Sequence, residues 1–307
     1  MNVLKTSFLL AALTALLGGF GLILDGAFGT GGIMTVGFLV FGIIMNWASY
    51  WFSDSIVLKM YGAQVVTERE APDLHAMTRR LVQRAGMPMP RLAIIPTDMP
   101  NAFATGRDPE HGVVAVTEGI LRVLNTEELE GVIAHELGHI RNRDTLVSTV
   151  AASIAGSIGT LANVAQFGAM FGVGGGHQDN EEGGGGALAP LVMIIMAIVA
   201  PIIALILQMA VSRTREFGAD RAAAEMTRNP AALASALRQL EYAAEHGMEA
   251  AAATVRPGTQ HMFIVSPMVG GGLAKLFSTH PPTEERIAAL QKVERELRTG
   301  AGRVVTA

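Results

Sequence analysis

The sequence predicts a mainly helical chain with a small β-sheet and about four transmembrane helices. Three observations predict it. The 307 residues are 50% hydrophobic and only 16% charged, more apolar than a soluble enzyme of this size. Four long apolar stretches (6–24, 33–52, 146–173 and 187–211) alternate with segments that hold nearly all the charge. Between the second and third lie short apolar runs bounded by Pro, Gly and Asn, the mark of strands.

Residues 6–24 form a nearly unbroken run of apolar and small side chains that leads, through a Gly-rich turn at 25–32, straight into another. That is longer than the apolar core of a cleaved signal, so an uncleaved first helix is expected. The second helix spans 33–52, with Trp47, Tyr50 and Trp51 near its end as an interfacial aromatic belt. At 53 the character changes. A helix is expected over 71–85, with Pro72 at its start and Gly86 after it. Strands are expected over 91–95, 101–105 and 112–117, the last two joined by the polar turn 106–110. Residues 146–173 are rich in Ser, Ala and Gly, making a weaker span suited to close helix packing. A Gly-rich loop at 172–186 carries His177, Asp179, Glu181 and Glu182, read as solvated acidic chain. Residues 187–211 form the fourth span, kinked at Pro201.

Charge then sets sidedness and excludes some partners. The net charge of −4 gives no basis for nucleic-acid binding. All 23 Lys and Arg fall in 1–5, 59–143 or 213–303, and none in the two loops between paired spans. By the positive-inside rule both termini and the polar segments lie in the cytoplasm. No cysteine is present, which excludes disulfides and thiolate metal ligands.

The run 125–144, NTEELEGVIAHELGHIRNRD, organises the rest. Asn125 is an N-cap with Glu128 as its capping-box partner, and Leu129, Val132, Ile133, Leu137 and Ile140 recur at helical spacing. His135 and His139 are therefore one turn apart on one face, close enough to share a metal ion. Glu136 lies beside that metal rather than on it. Two neutral imidazoles on one Zn²⁺ per chain, with a carboxylate to take a proton from the attacking water, is hydrolase chemistry.

Two imidazoles are too few for zinc. A third histidine of the H-E-x-x-H-x-x-G-x-x-H kind is absent, since positions 142 and 145 are Asn142 and Thr145. Glu127, Glu128, Glu130, Arg141 and Arg143 flank the motif, so it faces water and is not inside a span. The remaining class takes a Glu from a later helix. Glu216 and Asp220, one turn apart just after the fourth span, fit: Glu216 as third ligand, Asp220 accepting the N–H of His135. The competing reading is a charged juxtamembrane helix that merely forms ion pairs.

On His135–His139, 215–220, Pro100–Ala104 (PNAFA) and Ser278–Pro282 (STHPP) followed by Arg286, the chain resembles the HtpX membrane metalloproteases, relatives of the CaaX prenyl proteases. The resemblance extends to the order of elements along nearly the whole chain. It implies a zinc-dependent endopeptidase with an α+β zincin-like catalytic domain. It also implies a bacterial inner-membrane protein, its site facing the cytoplasm, acting on protein or peptide substrates in membrane-protein quality control. His280 and Arg286 would then help bind the substrate or its oxyanion. Asn101, Ala102 and Phe103 would belong to an edge strand on which substrate adds by main-chain pairing. His75, His111, His246 and His261 carry no partner pattern and are expected at surface or packing positions.

The expected organisation is 1–52, two transmembrane helices; 53–145, the first part of the catalytic domain; 146–211, an apolar transmembrane hairpin; 212–307, its second part. Two other functions compete. One is a narrow-specificity processing protease, disfavoured because the spans are few for a large enclosed chamber. The other is a non-catalytic zinc scaffold, which would have no need of Glu136.

Overall fold

The protein is described by a computed structural model over residues 10–11, 14–15, 17–19, 21–22, 25–26, 29–145, 213–246, 264 and 281–299. The expected apolar hairpin at 146–211 and His280 lie outside these residues. Among them, one helix is long and apolar enough to cross a bilayer, Ile33–Phe52.

That segment belongs to α1 (Ile33–Met60), 28 residues and about 42 Å long. Its Ile33, Val36, Ile43, Trp47 and Trp51 side chains are exposed, as a lipid-facing helix requires. The described residues between 10 and 26 are helical and pack against it. A Cβ on Gly21 would come within 2.6 Å of the Thr35 Cα, so the two backbones touch there. Asn46 donates to the Leu10 carbonyl at 2.8 Å and the Thr14 hydroxyl at 2.7 Å. Small residues and interhelical polar contacts of this kind hold helices together in lipid.

The helix does not end at 52 as expected. It runs two more turns because Val57 and Leu58 are buried against the sheet. Gly62, at φ 63°, then closes it, with the Ala63 N–H bonded to the Leu58 carbonyl at 2.8 Å. Arg107 lies over the Trp51 ring, 4.7 Å from its centroid, and Arg91 pairs with Asp54. The membrane helix is thus fastened to the polar domain at the level of its aromatic belt.

The sheet has four strands in the order β1-β2-β4-β3: β1 (Gln64–Val66), β2 (Arg91–Ile95), β3 (Ala102–Thr105) and β4 (Val113–Thr117). It is mixed, with β2 parallel to β4 and the outer pairs antiparallel. Strand periodicity divides it into two faces. Phe103, Ala93, Ile95, Val113 and Ala115 meet the end of α1. Leu92, Ala102, Ala104, Val114 and Val116 meet the main core. That core is completed by α2 (Pro72–Ala85), α3 (Glu118–Val123), α4 (Thr126–Arg141), α5 (Arg213–Thr227), α6 (Pro230–His246) and α7 (Thr283–Thr299).

The helix α4 lies at the centre of the main core, with Val132, Ile133, Leu137 and Ile140 at most 1% exposed. Its capping box is present as the sequence requires, the Asn125 side chain accepting from the Glu127 and Glu128 N–H groups. Two glycines let neighbouring helices approach. A Cβ on Gly138 would lie 3.1 Å from the Ala219 backbone of α5, and one on Gly131 would lie 3.1 Å from the Leu233 backbone of α6. Glu128, buried between α4 and α6, accepts from Ser235 at 2.6 Å and Gln239 at 2.7 Å.

Candidate metal centre and active site

The close approach of α4 and α5 at Gly138 brings His135 and His139 of one helix against the first turn of the other, where Glu216 lies. His135 Nε2 and His139 Nε2 are 3.2 Å apart. Glu216 presents Oε2 at 3.6 Å from His135 Nε2 and Oε1 at 3.5 Å from His139 Nε2. Among the described residues, these three form the group able to hold a metal ion, with their ligand atoms within 4.8 Å of one another.

The donor set fits zinc in three ways. Bonds of 2.0–2.2 Å to one tetrahedral ion put ligand atoms roughly 3.3–3.6 Å apart, close to the separations found here. Both Nδ1 atoms face carboxylates, His135 towards Asp220 at 2.9 Å and His139 towards Asp144 at 3.4 Å. Each Nδ1–H is thereby held on the side away from the site, leaving both Nε2 lone pairs for a metal. The charges also close. The buried carboxylates Glu136, Asp144, Glu216 and Asp220 face the guanidinium groups of Arg215 and Arg286, leaving room for the charge of one divalent cation. Burial and the Arg286 charge both favour neutral His135, yet Asp220 and Glu216 outweigh them and push its pKa up to about 9. The pocket attracts positive charge.

Glu136 is buried and follows His135 on the helix. Burial raises its carboxyl above the usual carboxylate range, while the two histidines pull the other way. It accepts a hydrogen bond from the Ala104 N–H of β3. The strand alternation explains that bond. The Asn101 carbonyl takes the Thr117 N–H at 2.9 Å, so residues 101, 103 and 105 bond inward to β4, and Ala102 and Ala104 direct their backbone groups outward. His139, with a side chain 16% exposed, is the most open of the three.

Arg286 was expected to face substrate. It lies instead beside His135, its Nη2 3.4 Å from each ring nitrogen, 1% exposed, and bonded to Asp220 through Nε at 2.9 Å and Nη2 at 2.7 Å. Its Nη1 donates to the Ile264 carbonyl at 3.0 Å and stands 3.6 Å from Glu216 Oε2. The side chains of Asn101 and Phe103 also point into the fold. The Asn101 side chain accepts from the Ile264 N–H at 3.1 Å, and the Phe103 ring packs on Tyr61 with centroids 5.3 Å apart. Both side chains are structural, and all of β3 is buried. His75 bonds the Val66 carbonyl and His111 pairs with Asp108, away from the metal trio.

Sequence reasoning did not place Asp144 beside the His139 ring, to which the helix-ending reversal returns the chain five residues on. It had no means of finding Ile264, whose backbone is held from both sides by Asn101 and Arg286.

Residues 68–294 match the profile of Peptidase family M48. Relatives named "Protease HtpX homolog" cover almost the whole chain. The one from Thermococcus kodakarensis is 51% identical over 294 residues, 96% of this chain and 97% of that one. The one from Pyrococcus furiosus is 49% identical over 293 residues, 95% and 96% of the two chains. The one from Salinibacter ruber is 51% identical over 295 residues, 95% and 98%. Among solved structures, the crystal structure of S. mikatae Ste24p aligns with a TM-score of 0.46 and 18% identity, covering 94% of this chain and 65% of that one. Matched by profile over most of its length and by relatives from end to end, the chain belongs to peptidase family M48, as a zinc-dependent membrane protease of the HtpX kind.

Proposed function

We propose that the protein is a multi-pass inner-membrane endopeptidase whose site faces the cytoplasm and whose clients are misfolded or damaged membrane proteins. His135, His139 and Glu216 hold the zinc ion. The observation that carries this assignment is the convergence of their ligand atoms at 3.2–3.6 Å, with Glu136 alongside. The quality-control role is supported by the resemblance to the HtpX proteases. The sidedness is supported by the absence of Lys and Arg from both apolar-hairpin loops.

When bound, zinc supplies Lewis acidity to a water and to the scissile carbonyl. Glu136 accepts the water's proton on a carboxylate oxygen as the water oxygen adds to the carbonyl carbon. It then delivers that proton to the amide nitrogen as the C–N bond breaks. Burial favours the first half of that cycle, because it raises the proton affinity of the carboxylate. The Ala104 N–H fixes the orientation of that carboxylate. Asp220 orients His135, and Arg286 orients Asp220, so both are positioning residues. Substrate adds to the outward backbone groups of Ala102. That residue is 1% exposed, so a peptide must displace the side chains packed over it.

The test is Glu136→Gln in full-length protein purified in detergent. Zinc should remain near one per chain, and cleavage of casein or a membrane-protein substrate should fall by at least ~10²-fold, the usual size of a lost general base. Turnover at the wild-type rate, with contaminating proteases excluded, would end this mechanism.

A further inference from the structure

We infer that Asp144 is a positioning residue for the zinc ligand His139, delivered to it by a left-handed turn at Arg143. The inference rests on the metal-site reading above and adds a residue to it.

Three independent observations point there. The first is the backbone. At the end of α4, Arg143 adopts φ 57°, one of two non-glycine residues with positive φ among those described. Helices that end through a left-handed residue usually place Gly or Asn there, because a Cβ is strained in that conformation. Here the Asp144 N–H reaches back to the His139 carbonyl at 2.9 Å, and the Arg143 N–H to the Ile140 carbonyl at 3.0 Å. This pair of bonds is a Schellman closure, with arginine in the position glycine normally takes. Backbone strain of this kind persists where the surroundings require it, and it clusters at functional sites.

The second observation is what the turn delivers. It folds Asp144 under the ring whose carbonyl it has just bonded, with Oδ2 3.4 Å from His139 Nδ1. A carboxylate at Nδ1 holds the proton there, leaves Nε2 as the lone-pair donor, and raises the ligand's basicity. Asp144 thus stands to His139 as Asp220 stands to His135.

The third is burial and charge. Asp144 is buried, and an isolated carboxylate is costly in that setting. Its other oxygen lies 3.9 Å from the Nε of Arg215, the residue before Glu216 on α5. The neighbouring Thr145 hydroxyl donates to the Gly106 carbonyl at 3.0 Å, fixing the turn to the β3–β4 connection. The carboxylate therefore ties the end of the H-E-x-x-H helix to the helix bearing the third ligand. Each histidine ligand is backed by a carboxylate, and each carboxylate by a guanidinium.

The test uses the full chain in detergent, as wild type, Asp144→Asn and Asp144→Ala. Zinc affinity is read by competition with a chromophoric chelator, the coordination sphere by the visible spectrum of the Co²⁺-substituted protein, and the fold by the thermal midpoint of metal-stripped samples. Asp144→Ala should weaken zinc binding by roughly 10–100-fold, the usual size of losing such a partner. Its Co²⁺ spectrum should change, and the loss of affinity should persist at temperatures well below the metal-free midpoint, which the lost contact to Arg215 lowers. Asp144→Asn, which keeps an acceptor but not the charge, should fall between the two. Unchanged affinity in Asp144→Ala would overturn the proposal, as would an unchanged Co²⁺ spectrum. Complete loss of metal from Asp144→Ala would make Asp144 a ligand instead. A wild-type protein that binds no zinc would instead remove the metal-site reading itself.

Discussion

Asp220 gives both carboxylate oxygens to Arg286, at 2.7 and 2.9 Å, and one of them also to His135 Nδ1 at 2.9 Å. All three side chains are buried. Breaking such a pair from one side leaves an uncompensated charge, at roughly 3–5 kcal/mol. Arg286→Met, which keeps much of the side-chain volume, should therefore destabilise the metal-free protein, by less than that amount because protonated His135 stays beside Asp220. Adding Asp220→Asn removes the stranded charge and should recover at least ~1 kcal/mol, the size of a direct coupling. Denaturant unfolding of the four species measures it. Strictly additive losses would show that the two groups do not act on each other.

Glu216 separates ligand from orienting group. Glu216→Ala leaves two imidazoles, which hold zinc poorly, so most bound metal should be lost. Asp220→Ala keeps all three ligand atoms and should lose affinity by roughly 10–100-fold. Metal content after dialysis against a weak chelator distinguishes them. Full zinc occupancy in Glu216→Ala would remove it from the ligand set.

The convergence of His135, His139 and Glu216 was legible because helical periodicity and residue chemistry specify it locally. H-E-x-x-H on an amphipathic helix fixes two nitrogens on one face, and E-x-x-x-D does the same for Glu216 and Asp220. The strands β2 and β4 were legible for the same reason, as apolar runs of strand length between turn residues. The short elements were not. Strand β1 is three residues long and mostly exposed, so it has no alternation to read. The six-residue helix α3 is defined by its Thr117 cap rather than by periodicity. The long reach of α1 has no signal in its apolar run, because the last two turns depend on burial of Val57 and Leu58 against the sheet. The location of Arg286 was illegible because it depends on α7 folding back over α5, a tertiary fact with no local signature.

Glu128 offers a pH test away from the metal. Burial alone would raise its carboxyl, but the bonds from Ser235, the Asn125 N–H and Gln239 outweigh this and hold it below the usual range. A folded pKa below the unfolded one stabilises the protein above the unfolded value, about 4.3, and that gain is lost as pH falls through the folded value. Glu128→Gln should cost about 1.5–3 kcal/mol at pH 7, as for hydrogen bonds to a charged group. In metal-free samples the gap to wild type should stay constant above about pH 5 and narrow below it. A gap independent of pH down to 2.5 would show that shape, not charge, makes the contact.

Gly131 and Gly138 lie two turns apart on one face of α4. A methyl on Gly138 would come 3.1 Å from the Cα and carbonyl oxygen of Ala219 and from the Ala222 Cβ. A methyl on Gly131 would come equally close to the Cα and N of Leu233. Both contacts are chiefly with backbone, so a whole helix must give by a few tenths of an ångström in either case. Overpacking of this kind typically costs 1–3 kcal/mol, and Gly138→Ala and Gly131→Ala should lose stability to a similar degree. What differs is the helix that moves. Ala219 lies between Glu216 and Asp220, so Gly138→Ala displaces the third ligand and the group that orients His135. Leu233 belongs to α6, which supplies none of the metal-binding residues. Zinc affinity should therefore fall at least about tenfold in Gly138→Ala, by the loss expected when a ligand's supporting contacts are disturbed, and stay within twofold of wild type in Gly131→Ala. Chelator competition on the two variants, set against their unfolding midpoints, separates the effects. Equal zinc affinity in both would mean that the approach of α4 to α5 at Gly138 does not set the position of Glu216.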